Sequence, residues 1–303
     1  MFRRPDHRSF TRIVLFLVVS VSCLLATSHA GAWTFERGTL WSKVTFLTQS
    51  TNEEYKSIPE PEFDRGDRGP YRLDGEYSSR AVFFDLFYGV TDRFNIGLQI
   101  PFFRQSFEDA ELRAGFGGAR RSTGFSDIRV FLKHRLINGP IISSFKFGFK
   151  APTGDFRNEQ GLIPTGEGQW DFDFILQLGR SFWPFRAYAN ADLGYRARLK
   201  NDTIDRDPGD EFFWIGEFGY QPLEKVLATL KCEGIRGKQS VSLGIQNASD
   251  VKRITYISPS VSFGPFNGTQ IETSLRISIN GQNFPAGPVL TVGLTYQGNP
   301  FGI

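Results

Sequence analysis

The sequence contains very little cysteine or histidine. Of its 303 residues, two are cysteine and three are histidine. Beyond residue 32 only Cys232 and His134 are left, so that part of the chain cannot form an intramolecular disulfide bond. A Ser/His pair for nucleophilic catalysis would have to use His134, which the strand pattern places near a short turn. We therefore predict no enzymatic activity, no metal site and no cofactor.

Long hydrophobic runs are also missing, with one exception at residues 13–26. This run is shorter than the roughly 20 residues that a membrane-spanning helix needs. It follows four arginines and precedes the small residues of "ATSHAGAW". A basic start, an apolar centre and an A-x-A end predict a secretory signal peptide. We place cleavage after Ala32, with Ala30 as the alternative, so that residues 1–32 form the signal peptide and residues 33–303 form one domain.

The chain has no charge excess once the signal peptide is set aside. The whole sequence carries 35 basic and 32 acidic residues, a net charge of +3. Residues 1–32 hold four arginines and one aspartate, which leaves 31 basic and 31 acidic residues in the remainder. Nucleic-acid binding depends on a clustered basic excess. The sequence therefore predicts no nucleic-acid partner.

What the sequence has in abundance is alternation with a period of two. The stretch "DLFYGVTDRFNIGLQIPF" at residues 85–102 alternates in this way on both sides of a short polar turn. This pattern predicts a β-hairpin. The same alternation recurs towards the C-terminus, as in "TQIETSLRISI" at residues 269–279. Each run is about as long as a strand that crosses a bilayer at a tilt.

The connections between these runs are alternately short and long. Five are short, at residues 91–93, 137–139, 183–184, 221–224 and 264–268. Six are long and polar, at residues 50–77, 106–123, 152–168, 200–210, 237–251 and 280–286. This rhythm is typical of outer-membrane barrels, with short periplasmic turns and long extracellular loops. We predict an all-β, closed antiparallel transmembrane β-barrel of about twelve strands, with 10 to 14 compatible. A soluble sandwich, the alternative, would leave the loop rhythm and the signal peptide unexplained.

Four segments give the chain a resemblance to a known family: "YGVTDRFNIGLQIPF", "GFSDIRVFLKHRL", "KFGFKAPTGDF" and "GEGQWDFDFILQLGRSF". The sequence resembles the outer-membrane transporters of the meta-pathway of phenol degradation. Members of that family pair a Y-G-hydrophobic-T-D-R turn with a G-hydrophobic-x-hydrophobic-P strand. They also carry G-x-x-D and P-T-G-D motifs, found here at residues 124–127 and 152–155. The resemblance covers residues 78–230 and implies a barrel that admits small, often aromatic or hydrophobic, compounds.

These observations favour a channel or transporter in the bacterial outer membrane for the passive uptake of small solutes. A structural or adhesion-type barrel without a conducting pore is the alternative. The expected partners are outer-membrane lipid, lipopolysaccharide, a small-molecule solute and the outer-membrane assembly machinery. The chain ends in Ile303, with Phe301 two residues earlier. It thus departs from the aromatic last residue that the assembly machinery commonly reads.

The alternation also predicts which charged side chains point into the barrel. On one interpretation they are ion pairs that hold the strands and close the pore; on the other they line a water-filled channel. A barrel of twelve strands lies between the filled and the open size classes, so size leaves both interpretations open. The predicted lumen-lining residues are Lys43, Asp85, Asp127, Arg129, Lys146, Lys150, Asp173, Arg186, Asp192, Glu217, Lys231, Glu272 and Arg276.

One long connection has the features of a constriction loop. Residues 152–168, "PTGDFRNEQGLIPTGEG", combine four glycines and two prolines with three large apolar side chains. Long loops without secondary structure are often functional lids. We predict that this loop narrows the external entrance, with Phe156, Leu162 and Ile163 facing the lumen. A loop that packs on neighbouring loops is the alternative.

Overall fold

The computed structural model describes residues 31–114, 120–157, 163–247 and 250–300. The first thirty residues of the predicted signal peptide lie outside the described residues, as do Leu162, Phe301 and Ile303. The strands, in chain order, are β1 (Leu40–Thr51), β2 (Glu53–Tyr55), β3 (Arg68–Pro70), β4 (Glu76–Thr91), β5 (Phe94–Glu108), β6 (Arg120–Phe125), β7 (Ile128–Ile137), β8 (Ile142–Ala151), β9 (Asp171–Ser181), β10 (Ala187–Arg198), β11 (Arg206–Asp207), β12 (Glu211–Leu223), β13 (Val226–Gly237), β14 (Ser240–Ser242), β15 (Ile245–Asn247), β16 (Arg253–Phe266), β17 (Thr269–Gln282), β18 (Phe284–Ala286) and β19 (Val289–Gly298).

Within the described residues, helical structure is confined to short pieces of the loops. A 3₁₀ helix covers Arg72–Asp74, and the helix α1 covers Ala110–Arg113. In the part of the chain that the structure describes, no helix has the length and apolar character needed to cross a membrane.

Twelve long strands close into one antiparallel barrel. Around the barrel their order is β1, β4, β5, β7, β8, β9, β10, β12, β13, β16, β17 and β19, and β19 returns to β1. In the register, Leu40 of β1 lies opposite Tyr88 of β4 on one side and Gly298 of β19 on the other. Closure pairs every barrel strand on both sides, which lipid requires because it offers no hydrogen bonds. The predicted fold class and strand number are confirmed.

The outer surface of the barrel is apolar because every second side chain along each strand points outwards. Phe46 is 45% exposed, Leu193 is 47% exposed and Ile271 is 52% exposed. Each has a polar or charged neighbour on the opposite face of its strand, namely Thr45, Asp192 and Glu272 respectively. An apolar outer band and a polar interior are what a transmembrane barrel requires.

The hairpin turns follow from local chemistry. Between β16 and β17, the two turn residues Asn267 and Gly268 have φ angles of +52° and +81°. Two consecutive positive φ values are required by the type I′ turn of a two-residue hairpin, and the Asn-Gly dipeptide adopts them most readily. The chain therefore reverses its direction at Asn267 and Gly268, at the short-turn end of the barrel.

The opposite end of the barrel carries ordered loops. Strands β18, β2 and β3 form one small antiparallel sheet there, and β11, β14 and β15 form another. Tyr55 and Ala286 of the first sheet form a buried cluster with Ile254 and Tyr256 of β16. The long connection at residues 237–251 contains β14 and β15. The long-loop end is therefore partly covered by folded segments.

Candidate functional site in the barrel lumen

The structure places most of the predicted lumen residues on the inner face of the barrel, where nearly all of them have a polar partner. Their polar contacts are Lys43–Glu272 at 3.0 Å, Arg129–Asp173 at 3.3 Å, Lys150–Asp127 at 3.2 Å, Lys231–Glu233 at 3.4 Å, Arg276–Glu233 at 2.5 Å, Gln99–Asp85 at 2.7 Å, Gln177–Asp192 at 2.7 Å and Tyr188–Glu217 at 2.8 Å. Lys146 has a different contact, because its ammonium lies over the Phe131 ring, 5.3 Å from the centroid.

Arg186 is placed differently from the expectation. The sequence pattern starts a strand at residue 185, but β10 begins at Ala187. Arg186 is exposed in the preceding turn, and its carbonyl accepts a hydrogen bond from the Gln221 amide at 2.8 Å. Its side chain therefore lies at the rim of the short-turn end rather than among the buried charges of the lumen.

A network of buried charges fills the lumen beside β7, β8, β9, β10 and β12. At its centre, the Lys150 ammonium lies 2.8 Å from the Asp171 carboxylate, 3.2 Å from Asp127 and 2.6 Å from Glu167. The side chains of Lys150 and Asp171 are only 3% and 1% exposed. Buried charges are tolerated when each is paired and hydrogen-bonded. Lys150 meets this condition with three carboxylates.

The network continues along the neighbouring strands. Arg198 contacts Glu211 at 2.9 Å, and Arg196 contacts both Glu211 at 2.8 Å and Asp173 at 2.6 Å. Five cations and five anions take part in all: Arg129, Lys150, Arg196, Arg198 and Lys252 with Asp127, Glu167, Asp171, Asp173 and Glu211. Because the two signs balance, this side of the lumen is electrically satisfied without a bound solute.

Glu167 connects the loop at residues 152–168 to this network. Its Oε1 atom lies 2.6 Å from Arg198 Nη2 and 2.7 Å from Lys252 Nζ, and its Oε2 atom lies 2.6 Å from Lys150 Nζ. Burial by itself would raise the pKa of Glu167, but the positive charges of Lys252, Arg198 and Lys150 outweigh it and hold the pKa well below its usual range. The loop is therefore bound to the wall of the barrel by an ionised carboxylate.

The Asp127 carboxylate holds the base of the same loop. It accepts hydrogen bonds from the Gly154 amide at 3.0 Å and from the Glu167 amide at 2.9 Å. The Asp127 side chain thus holds both ends of the loop, because Gly154 lies near the first residue of the loop and Glu167 near the last. This arrangement keeps the loop against the wall beside β7.

The predicted constriction residues of the loop fall partly within the described residues. Phe156 is half-buried and lies against Gly168, which has a φ of +75°. A Cβ atom on Gly168 would lie 2.5 Å from Phe156 Cγ, so only glycine leaves room for the ring there. Ile163 is also half-buried, whereas Leu162 lies outside the described residues. That this loop narrows the entrance stays a prediction.

Residues 31–37 form a second element inside the barrel, at the short-turn end. The Lys133 ammonium donates a hydrogen bond to the Gly31 carbonyl, and the Ser144 hydroxyl donates one to the Ala32 carbonyl. Ala32 is completely buried. The segment is thereby attached to the inner face of β7 and β8.

The same segment is bound to the neighbouring strand β5 as well. The Phe35 amide donates to Asn95 Oδ1 at 2.9 Å, and Asn95 Nδ2 donates back to the Phe35 carbonyl at 3.2 Å. Lys133 also donates to the Trp33 carbonyl at 2.6 Å. Asn95 of β5 and Lys133 of β7 face each other on neighbouring strands. The Trp33 ring meets the edge of the Tyr188 ring of β10 at 6.1 Å, whereas the Phe35 ring stacks on Trp41 of β1. Because β1 and β10 lie six strands apart in the barrel, the segment crosses the lumen and narrows it.

Aromatic side chains line the lumen beside β1, β4 and β7. Phe35 stacks on Trp41 with ring centroids 6.1 Å apart, and Trp41 meets the edge of Phe87 at 5.9 Å. Phe87 in turn stacks on Phe131 at 6.0 Å. The lumen therefore has a charged side, where the groups satisfy one another, and an aromatic side, where flat apolar surfaces are available.

The lumen residues predicted from the sequence are all charged and do not include this aromatic side, although the sequence contains a signal for it. Phe83 and Phe87 share one face of β4 with Asp85, and Trp41 shares one face of β1 with Lys43. Positions of the same parity as the inward charges point inwards too. The interior segment at residues 31–37 carried no such signal, because it has no alternation and lies before the first strand.

No group of three or more His, Cys, Asp or Glu side chains suited to holding a metal ion occurs among the residues that the structure describes. Cys232 is a free thiol, and in the strand pattern it lies on the outward face with the exposed Leu230.

The protein is an outer-membrane β-barrel protein. Its twelve antiparallel strands close, its outer band is apolar, and its loops differ in length between the two ends. The family described as "Putative MetA-pathway of phenol degradation" matches residues 69–292, which is most of the chain. The chain belongs to this family. No curated protein matches the sequence.

One solved structure agrees on the fold. The COG4313 outer membrane channel from Pseudomonas putida F1 is 16% identical, with a TM-score of 0.73, and the alignment covers 90% of this chain and all of the other. The KdgM porin is 9% identical with a TM-score of 0.44, covering 84% of this chain and 98% of its own. The CymD monoaromatic hydrocarbon channel is 9% identical with a TM-score of 0.42, covering 87% and 88%. The first likeness establishes the fold, and the other two are too remote to add to it.

Proposed function

We propose that the protein is an outer-membrane channel for the passive uptake of small aromatic or hydrophobic solutes. The observation that carries the proposal is the division of the lumen into a charged side and an aromatic side. The paired charges beside β7 to β12 already satisfy one another, so they gain little by contact with a solute. The aromatic side offers surfaces that stack on flat apolar molecules.

The aromatic surface extends towards the long-loop end. Phe83 of β4 and Phe103 of β5 lie 5.5 Å apart in an edge-to-face arrangement, and both are only partly buried. On β4, Phe83 lies two residues from Asp85 towards the long-loop end, and Phe87 lies two residues from Asp85 towards the short-turn end. A solute moving along β4 would therefore meet aromatic surface on both sides of Asp85.

Two elements would restrict the size of what passes. The loop at residues 152–168 is attached to the wall near the outside, and the segment at residues 31–37 crosses the lumen near the periplasm. A narrow, partly apolar path suits a small apolar solute better than a hydrated sugar. Membership of the phenol-degradation family supports the same class of solute.

Uptake of radiolabelled phenol in porin-deficient Gram-negative cells tests the proposal, with a hydrophilic solute of similar size as the comparison. Expression of the protein should raise the phenol rate several-fold and leave the hydrophilic solute nearly unchanged. Phe87→Ala should reduce this gain, because Phe87 belongs to the aromatic side of the lumen.

Phe84→Ala is the matched control, since Phe84 is the same residue type on the same strand but is 37% exposed on the outer face. A folded barrel that raises the uptake of neither solute would contradict the channel and leave the structural or adhesion-type barrel as the better account.

A further inference from the structure

A cavity inside the barrel, at the short-turn end, has two walls of different chemistry. Its volume is about 150 Å³, of the order of a protein cavity that holds one benzene ring. Phe35, Trp41 and Phe87 form the apolar wall. The polar wall comes from adjacent strands and contains Lys133, Lys146 and Gln177.

Of the two lysines in this cavity, Lys146 is the one whose ammonium can bind a ligand. Lys133 already donates to two carbonyl oxygens of the segment at residues 31–37. Lys146 lies over the Phe131 ring and has no ion pair or hydrogen bond within the described residues. An ammonium in a partly apolar cavity is stabilised by an anion that can accept its hydrogen bonds.

Gln177 supplies an acceptor in the same wall. Its Nε2 atom donates to Asp192 Oδ2 at 2.7 Å, which fixes the amide orientation because a carboxylate only accepts. The side chain is 2% exposed, and Oε1 has no donor among the described residues. A buried acceptor of this kind is satisfied by a hydroxyl group.

We infer that this cavity is a binding site for a monocyclic aromatic carboxylate that carries a ring hydroxyl group. The ring stacks against Trp41 and Phe87, the carboxylate accepts from Lys146, and the hydroxyl donates to Gln177. The inference rests on the proposed function in that the lumen admits small aromatic solutes. It goes further by assigning their charge and a second polar group.

Calorimetric titration of the purified full mature chain in detergent tests the site. The probes are 4-hydroxybenzoate, 3-hydroxybenzoate, benzoate and the uncharged benzyl alcohol. Benzoate should bind about tenfold more tightly than benzyl alcohol, because it adds one charge-assisted hydrogen bond. At least one hydroxybenzoate should bind several-fold more tightly than benzoate.

Variants at one position separate a binding role from a structural one. Lys146→Met should remove the preference for benzoate over benzyl alcohol, and Lys146→Arg should retain it. Lys225→Met is the matched control, because Lys225 lies in a turn at the same end and, within the described residues, its side chain contacts only the Phe266 ring, at 4.7 Å. It should leave all four affinities unchanged.

Equal affinity for benzoate and benzyl alcohol, or a preference for benzoate that survives in Lys146→Met, would overturn the inference. If neither hydroxybenzoate binds more tightly than benzoate, Gln177 does not have the role given to it. Failure of the channel is distinguishable from failure of this site. Phenol uptake without benzoate binding refutes only the site, and benzoate binding without any uptake supports the site while refuting the channel.

Discussion

Replacing Glu167 with glutamine should loosen the loop at residues 152–168 without unfolding the barrel. The carboxylate contacts Lys150, Arg198 and Lys252 at 2.6 to 2.7 Å. Hydrogen bonds to charged groups contribute roughly 1.5–3 kcal/mol each, but a side chain that is 35% exposed belongs at or below the low end of that range. At about 1 kcal/mol for each contact, the loss is about 3 kcal/mol, which is about a hundredfold in the ratio of attached to detached loop.

The pH dependence follows from the same contacts. Because the pKa of Glu167 is held well below its usual range in the folded protein, its contribution is fully present at neutral pH. It begins to decline only below about pH 4.3, the ordinary value for glutamate, and is lost as the pH falls through the folded-state pKa. The wild-type loop should therefore stay attached from neutral pH down to about pH 4.3, and only stronger acid should reproduce the effect of Glu167→Gln.

Single-channel recording in planar bilayers measures the effect. We expect Glu167→Gln to spend much more time in a state of higher conductance than the wild type, while both proteins keep the same resistance to heat on gels. Asp155→Asn changes an acid to its amide in the same loop and serves as the control. Asp155 has no ion pair within the described residues and its side chain accepts only from the Arg157 amide, so recordings should match the wild type. Identical conductance in Glu167→Gln and the wild type would refute the idea that this carboxylate holds a constriction in place.

Three further predictions follow from the structure. Deleting residues 156–162 should raise solute flux and leave the barrel heat-resistant; unchanged flux in a folded barrel would leave the constriction without support. Asp171→Asn should lower the free energy of unfolding in urea by about 3 kcal/mol, because it leaves a buried cation short of one carboxylate, whereas the exposed Asp202→Asn should change it by less than about 0.5 kcal/mol. N-terminal sequencing of the exported protein should favour the alternative cleavage site after Ala30 over the site after Ala32 and read Gly31 first, since the carbonyls of Gly31 and Ala32 are bound inside the lumen; a first residue of Trp33 would contradict this.

Much of the fold could be predicted from the sequence because strands and turns in a barrel are local features. A period of two assigns each side chain to one of two faces, and turn dipeptides such as Asn267-Gly268 mark where the chain reverses. Lipid then leaves only closure as a solution for a sheet that crosses the membrane. The inward positions of charges such as Lys43 and Asp85 followed from the same parity.

The tertiary structure alone decided which of these inward groups meet. Glu167 contacts Lys252, 85 residues further along the chain, because barrel curvature brings a loop beside β8 close to the start of β16. Alternation gives the face of a strand but not the register between strands or the depth of a loop within the lumen. Residues 31–37 show the same limit, since their backbone atoms bind Lys133 and Asn95 through contacts that no side-chain pattern records. The sequence by itself determined the wall of this barrel, and tertiary packing determined what occupies its interior.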